Sequence, residues 1–162
     1  MMVQSQETLL SAANKLKEYR IKNTPQRQVI LSYLMTSHAH PSIEMIFKYV
    51  RSNGFSVSLA TVYNTLQLLI DHNLIIEIAA DSGGHMRYDY FETPHYHVIC
   101  VNCNKIVDVF DASYKQNERE AAQETGFQVF NSQYEVYGLC PACQQKLAET
   151  EHKNCSYVKF WY

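Results

Sequence analysis

Apolar side chains recur every three or four residues through the first seventy positions, then every second residue in several later stretches. The first period predicts helices and the second predicts strands. A helix is expected over residues 5–20, with Leu9, Ala12, Ala13 and Leu16 inward and Lys15, Lys17 and Glu18 outward. Thr24-Pro25 starts another, Thr as the cap and Pro in the first turn, with Val29, Ile30, Tyr33 and Leu34 as its buried stripe. It ends near residues 37–41, because Pro41 disfavours helix at His40. Ser42 caps a third helix carrying Ile43, Ile46, Phe47 and Val50, which Asn53-Gly54 closes.

Ser58 caps a fourth helix over residues 59–71. Its expected inner face is Leu59, Val62, Leu66, Leu69 and Ile70. Its outer face is Ala60, Asn64, Gln67 and Asp71, with Thr61 and Tyr63 on the flanks. Residues 74–80 read as a strand, 81–84 as a turn and 86–91 as the returning strand. Helices followed by a hairpin make a winged helix-turn-helix. Small hydrogen-bonding side chains on the fourth helix suit close approach to base edges in a major groove. Lys15, Lys22, Arg27 and Arg87 are candidates for phosphate contacts. Against this, trihelical cores also bind proteins, and no Lys or Arg lies between 58 and 71.

After Pro94 the pattern turns to strands. Residues 95–101 and 105–110 read as a hairpin, 113–125 as a helix ended by Gly126, and 127–138 as a further strand run. The fold class is therefore α+β, a winged helix-turn-helix followed by a small α+β domain. The expected divisions are 1–91, a hinge at 92–94, a second domain at 95–145 and a tail at 146–162.

About 50 residues is marginal for independent stability. Two Cys-x-x-Cys pairs, Cys100/Cys103 and Cys140/Cys143, stand 36 residues apart (104 to 139) and offer four thiolates to a tetrahedral structural zinc ion. A redox dithiol needs one such pair at a helix start, whereas both pairs here read as loops. Cys155 is left unpaired.

Composition adds limits. The chain is 46% hydrophobic and 19% charged, as in ordinary globular proteins. No long apolar run predicts a membrane span, and the first residues lack a secretion signal, so a cytoplasmic location is expected. The net charge of −2 is uneven. Residues 1–80 hold seven Lys/Arg against five acids, and 81–162 hold seven against eleven. A first half that meets phosphates and a second half that collects cations fit this division.

A second metal site is suggested beside the thiols. His95 and His97 alternate along a strand and point the same way. Asp89 lies on the preceding strand, Asp108 on the paired one, and His40 in the Ala-His-Pro turn. Three imidazoles and two carboxylates suit Mn²⁺ or Fe²⁺ better than an all-thiolate set does, although intrinsic affinity still favours Zn²⁺ or Cu²⁺. Each residue also has a plain reading, as a surface histidine or a solvated strand end. His85 and His152 could add a further metal site, but read more simply as solvent-facing histidines.

Thr24-Pro25-Gln26-Arg27, Ala39-His40-Pro41, Ser58-Leu59-Ala60-Thr61-Val62-Tyr63-Asn64, His95-Tyr96-His97-Val98-Ile99-Cys100-Val101-Asn102-Cys103 and Tyr137-Gly138-Leu139-Cys140-Pro141-Ala142-Cys143 together resemble the Fur family of bacterial metal-dependent repressors. The resemblance covers about residues 8–145 and is strongest to the peroxide-sensing branch. Asp108 stands where iron-sensing members usually have Glu, and Asn64 where they usually have Arg. It implies a homodimer joined through the second domain and bound to an AT-rich inverted repeat of double-stranded DNA, with Lys22, Arg27, Ser58, Ala60, Thr61, Tyr63 and Asn64 at the DNA. It also implies one structural zinc, and one regulatory Fe²⁺ or Mn²⁺ held by His40, Asp89, His95, His97 and Asp108. In such proteins hydrogen peroxide oxidises a ligand histidine, here His40 or His95, and peroxide-defence and metal-homeostasis genes are derepressed. The protein is then a sensor and not an enzyme.

Three alternatives remain from the residues: an iron- or zinc-uptake regulator of the same family, a zinc hydrolase, and a zinc-stabilised adaptor. The hydrolase needs an open coordination position, and no HExxH is present. Nothing in the sequence accounts for the aromatic end Tyr157-Val158-Lys159-Phe160-Trp161-Tyr162.

Overall fold

The computed structural model describes residues 6–79, 85–111 and 113–151, with residues 79, 150 and 151 described by backbone alone. The expected turn at 81–84, His152, Cys155 and the aromatic end at 157–162 lie outside these residues. The chain divides into two compact units, Met1–Pro94 and His95–Tyr162. No helix among the described residues is long and apolar enough to cross a membrane.

The first unit contains α1 (Gln6–Glu18), α2 (Pro25–Thr36), α3 (Ile43–Ser52), α4 (Leu59–Asp71) and an antiparallel hairpin of β1 (Ile75–Ala79) and β2 (Met86–Tyr90). The caps are those the sequence announces. The hydroxyls of Thr24, Ser42 and Ser58 accept from the amides of Arg27, Met45 and Thr61. Ala12, Leu16, Ile30, Leu31, Ile46, Val50, Val62, Leu66 and Leu69 make one continuous core with Leu74 and Ile75. α2 is the central helix. Leu31 and Ser32 are buried as well as the predicted stripe, and Tyr33 is only partly buried, its ring stacked on Tyr49 at 3.9 Å.

α4 corrects one expectation. Leu59 is 47% exposed, because it opens the helix and lies a turn short of the core. Thr65 takes the inner place at 5% exposure, and its hydroxyl donates to the Thr61 carbonyl at 2.9 Å. Burial of that polar group is therefore matched by a hydrogen bond.

The second unit contains β3 (Tyr96–Cys100), β4 (Ile106–Val109), α5 (Tyr114–Thr125), β5 (Glu135–Gly138) and α6 (Pro141–Glu151). The sheet order is β4-β3-β5, with β4 antiparallel and β5 parallel to β3. Gly126 ends α5 in the left-handed conformation (φ 71°) that glycine adopts without strain. The long strand run expected over 127–138 shrinks to the four residues of β5. β3 offers pairing only from His97 to Cys100, so the preceding residues find no ladder. Phe127 and Phe130 are left 74% and 84% exposed. α6 begins at the second cysteine pair and runs six residues past the expected boundary at 145.

Leu66→Ala should cost about 2–5 kcal/mol in urea unfolding followed by circular dichroism, as a buried cavity does. Leu59→Ala should change stability by less than about 0.5 kcal/mol, as a surface replacement does. Equal losses would contradict the orientation of α4 described above.

Candidate metal centres and nucleic-acid face

The two cysteine pairs are carried by different local structures. Cys100 ends β3, and the chain reverses at once. The Asn104 amide donates to the Cys100 carbonyl at 2.8 Å, and the Cys100 amide donates to the Lys105 carbonyl at 2.9 Å. Asn104 takes a left-handed conformation (φ 58°) that asparagine tolerates. This tight reversal places Cys103 back over Cys100. The second pair is not in a loop, as the sequence suggested. Pro141 opens α6, and the Cys143 amide donates to the Cys140 carbonyl at 2.9 Å within the first turn.

The four sulfurs all lie within 4.8 Å of one another. Sulfurs about 2.3 Å from a tetrahedral zinc stand about 3.8 Å apart. Cys103 Sγ and Cys140 Sγ are 3.7 Å apart, and all four cysteines are free thiols. Two further donors address the set: the Cys140 amide to Cys100 Sγ (3.3 Å) and Asn102 Nδ2 to Cys143 Sγ (3.2 Å). The Cys140 amide, with those of Cys103 and Asn102, holds the Cys100 thiol down at about 6. The Lys105 amide pulls Cys103 down, but the surrounding thiols Cys100, Cys143 and Cys140 prevail and push it up to about 11. Four thiolates cannot share this space without a cation among them, and soft sulfur donors suit Zn²⁺. The redox reading loses its premise that both pairs are loops. It fails instead because all four thiols converge on one point.

The imidazole and carboxylate donors form two groups, two residues in the first unit and three in the second. In the first, β2 fixes both partners. The Tyr88 amide donates to the Pro41 carbonyl at 3.1 Å, Ser42 bridges to Arg87, and Arg87 Nη1 donates to the His40 carbonyl at 3.4 Å. Asp89, next along β2 after Tyr88, then stands with Oδ1 3.8 Å from His40 Nε2. His40 is 2% exposed and has φ 45°, a left-handed conformation before a proline, so its backbone is held against its own preference. Such strain collects at functional positions.

In the second unit, strand alternation puts His95 and His97 on one face of β3. Their Nε2 atoms are 3.1 Å apart and their rings stand at 88°. Two lone pairs so close repel unless a proton or a cation lies between them. Ligand nitrogens about 2.1 Å from one metal ion at a right angle are about 3.0 Å apart. Asp108, the register partner of His97, brings Oδ1 to 3.7 Å from His97 Nε2. His95 and His97 are buried. Both groups thus offer one or two imidazoles beside a carboxylate, a donor set that fits Mn²⁺ or Fe²⁺.

The profile of the ferric uptake regulator family matches residues 18–137. The chain is 39% identical over 138 residues to the peroxide operon regulator of Bacillus subtilis, covering 85% of this chain and 94% of that one. The chain belongs to the ferric uptake regulator family. In fold it is similar to the ferric uptake regulator of Pseudomonas aeruginosa solved with manganese (TM-score 0.67, 26% identity, 80% of this chain and 98% of that one). It is equally similar to the Campylobacter jejuni peroxide stress regulator (TM-score 0.66, 27% identity, 86% and 100%).

For a member of this family, the face expected to meet DNA needs two corrections. Lys15 is paired with Glu18 (3.3 Å) and Glu92 (3.1 Å), contacts that hold its ammonium charged well above the ordinary lysine range. It is therefore spent within the unit. Arg87 turns inward to the His40 carbonyl and Met45 Sδ instead of lying on the wing surface. Lys22 is exposed, and Arg27 Nη1 donates to its carbonyl at 2.8 Å. Ser58 and Thr61 are exposed, with their hydroxyls 2.8 Å apart at the start of α4. Ala60, Asn64 and Tyr63, the last 53% exposed, complete one open surface on that helix. His85 is exposed and joins no metal-holding group among the described residues.

Sequence reasoning missed Asn102 as a donor to a thiol and Arg87 as the brace of the His40 turn. The signal for Asn102 was its place between two cysteines; Arg87 gave none, since its partner is 47 residues away. Cys143→Ser should abolish zinc binding, read by elemental analysis. Structural zinc is worth about 10–16 kcal/mol in small domains. Amide exchange in β3–β5 should therefore rise to unprotected rates while α2 and α4 stay protected. Retained protection in β3 without zinc would refute the assignment.

Proposed function

We propose that this chain is a metal-dependent, DNA-binding transcriptional repressor that answers hydrogen peroxide, and that it is not an enzyme. The observation that carries the reading is the pair of buried half-sites, His40 with Asp89 and His95, His97 with Asp108. Each unit holds donors already gathered, and neither alone supplies the five ligands of a stable Mn²⁺ or Fe²⁺ site. An ion that drew on both sets would favour the state in which all five donors reach it, the differential affinity any metal-driven switch requires. Moving a population from mostly open to mostly closed takes about 5 kcal/mol of such difference.

The roles then follow from position. Cys100, Cys103, Cys140 and Cys143 hold a permanent zinc ion. His40, Asp89, His95, His97 and Asp108 hold the exchangeable one. An iron ion held by these five residues would supply the redox chemistry by which hydrogen peroxide gives up one oxygen atom and leaves as water. The imidazole of His40 or His95 takes up an oxygen atom and ceases to be a good donor. With that ligand lost, the ion would be held less tightly and DNA would be released. Ala60, Thr61, Tyr63 and Asn64 face the bases of an AT-rich inverted repeat, with Ser58, Lys22 and Arg27 toward the phosphates. The resemblance in sequence to the Bacillus subtilis peroxide operon regulator supports the signal. Work on DNA also puts the protein in the cytoplasm.

A second copy is the expected partner. The second unit exposes Val107, Phe127, Phe130, Val136, Tyr137 and Leu139, and a groove of about 280 Å³ runs between Val98, Val107 and Leu139. Apolar surface on this scale marks an interface.

Fe²⁺-loaded protein should retard an AT-rich inverted-repeat duplex in a gel, and stoichiometric peroxide should abolish the shift. Mass spectrometry should find one added oxygen on the His40 or His95 peptide. Retained binding with unmodified peptides would leave the metal-only alternative, an iron- or zinc-uptake regulator. Sedimentation should give a dimer, and Val107→Glu with Val136→Glu should give a monomer that still holds zinc.

A further inference from the structure

His97 is flanked on both sides of its strand. Its partner on β4 is Asp108, and its partner on β5 is Glu135. Register partners share a face of the sheet, and neighbouring strands lie about 4.8 Å apart. Asp108, His97 and Glu135 therefore form one row across three strands: carboxylate, imidazole, carboxylate. The next row on this face is Ile106, Ile99 and Tyr137, with no charge. Glu135 is partly buried in a strand whose other residues are exposed. Its carboxylate accepts the Tyr137 hydroxyl, which is two residues along the same face and keeps its proton more firmly for that bond.

The two ring nitrogens of His97 have different surroundings. Nε2 is the atom 3.1 Å from His95 Nε2 and 3.7 Å from Asp108 Oδ1, so Nε2 faces the gathered donors. When Nε2 binds a cation, the ring proton must sit on Nδ1. Metal-binding histidines usually donate that proton to a carboxylate, a carbonyl or a water, which fixes the tautomer and strengthens the ligand. Asp108 is committed to the Nε2 side.

We propose that Glu135 is a positioning residue for the regulatory metal: it accepts the Nδ1–H of His97 and is itself held by the Tyr137 hydroxyl. This rests on the reading of His97 as a ligand of that metal. Glu135 makes no bond to the ion. It sets the orientation and basicity of one ligand, and so the metal concentration at which the repressor loads. Asp108 and Glu135 thus have different tasks although both are register partners of His97. One contributes charge and oxygen at the metal, and the other secures the proton on the far side of the ring.

The test is Mn²⁺ binding to the full-length zinc-loaded protein, followed by electron paramagnetic resonance of the free ion up to millimolar concentration. Loss of such a supporting carboxylate typically costs about 10- to 100-fold in metal affinity. Glu135→Ala should fall in that range. Glu135→Gln, which keeps the shape and a weaker acceptor oxygen, should lose less. Both should retain one zinc per chain and the unfolding temperature of the metal-free regulatory site. In a His97→Ala background, Glu135→Gln should add no further loss, because the ring it serves is gone; a purely structural role would add its loss again. Wild-type affinity in Glu135→Gln and Glu135→Ala, or additive losses in the double variant, would overturn the assignment of Glu135. Unchanged Mn²⁺ affinity in His97→Ala alone would instead overturn the metal reading on which it stands.

Discussion

Four thiols stand where the second unit would otherwise need a hydrophobic core. Among its described residues only Ile99, Tyr114 and two of the cysteines themselves are buried apolar positions. The first unit, by contrast, has a continuous core that reaches every helix. A sheet of three short strands with two largely exposed helices does not bury enough surface to offset its chain entropy. Closing Cys100 and Cys103 against Cys140 and Cys143 links the β3–β4 turn to the start of α6. That fixes both neighbours of β3, and every donor on β3 inherits its position from this clamp.

β3 carries two kinds of chemistry because of where each residue falls in its period. His95, His97 and Ile99 share one face, and Tyr96, Val98 and Cys100 share the other. The histidines therefore present nitrogen to one side, while the other side is an apolar surface of Val98, Val107 and Val136 in register. In the first unit β2 does comparable work with backbone bonds. It ties down Pro41, Ser42 and the His40 carbonyl, and presents Asp89 to the imidazole. The left-handed backbone at His40 is sustained by these ties, since nothing in the residue itself favours it.

Charge is used locally more than a count suggests. The excess of cations in residues 1–80 looked like a surface prepared for phosphates. Lys15 is instead committed to two carboxylates, and Arg87, just outside that stretch, to a carbonyl and a thioether. What α4 leaves open is mostly uncharged: alanine, hydroxyls, an amide and a phenol. Under the proposed function, such a face would approach base edges at little desolvation cost, with the phosphates left to Lys22 and Arg27.

The sequence by itself announced the first five helices, the caps of α2, α3 and α4 and the residues proposed for both ligand sets, but not α6. Each depends on residues close in the chain: a capping hydroxyl three residues before its amide, cysteines three apart, histidines two apart on a strand. It also determined which donor types suit zinc and which suit manganese or iron, because that is a property of the atoms. Only the tertiary structure decided the rest. Whether residues 127–134 could be a strand depended on how far β3 extends beside them. Whether Leu59 or Thr65 faced inward depended on where the core ends along α4. The tasks of Arg87 and Glu135 depended on partners 47 and 38 residues away, at His40 and His97. Contacts across such separations are set by packing and strand register, and no local pattern of residues records them.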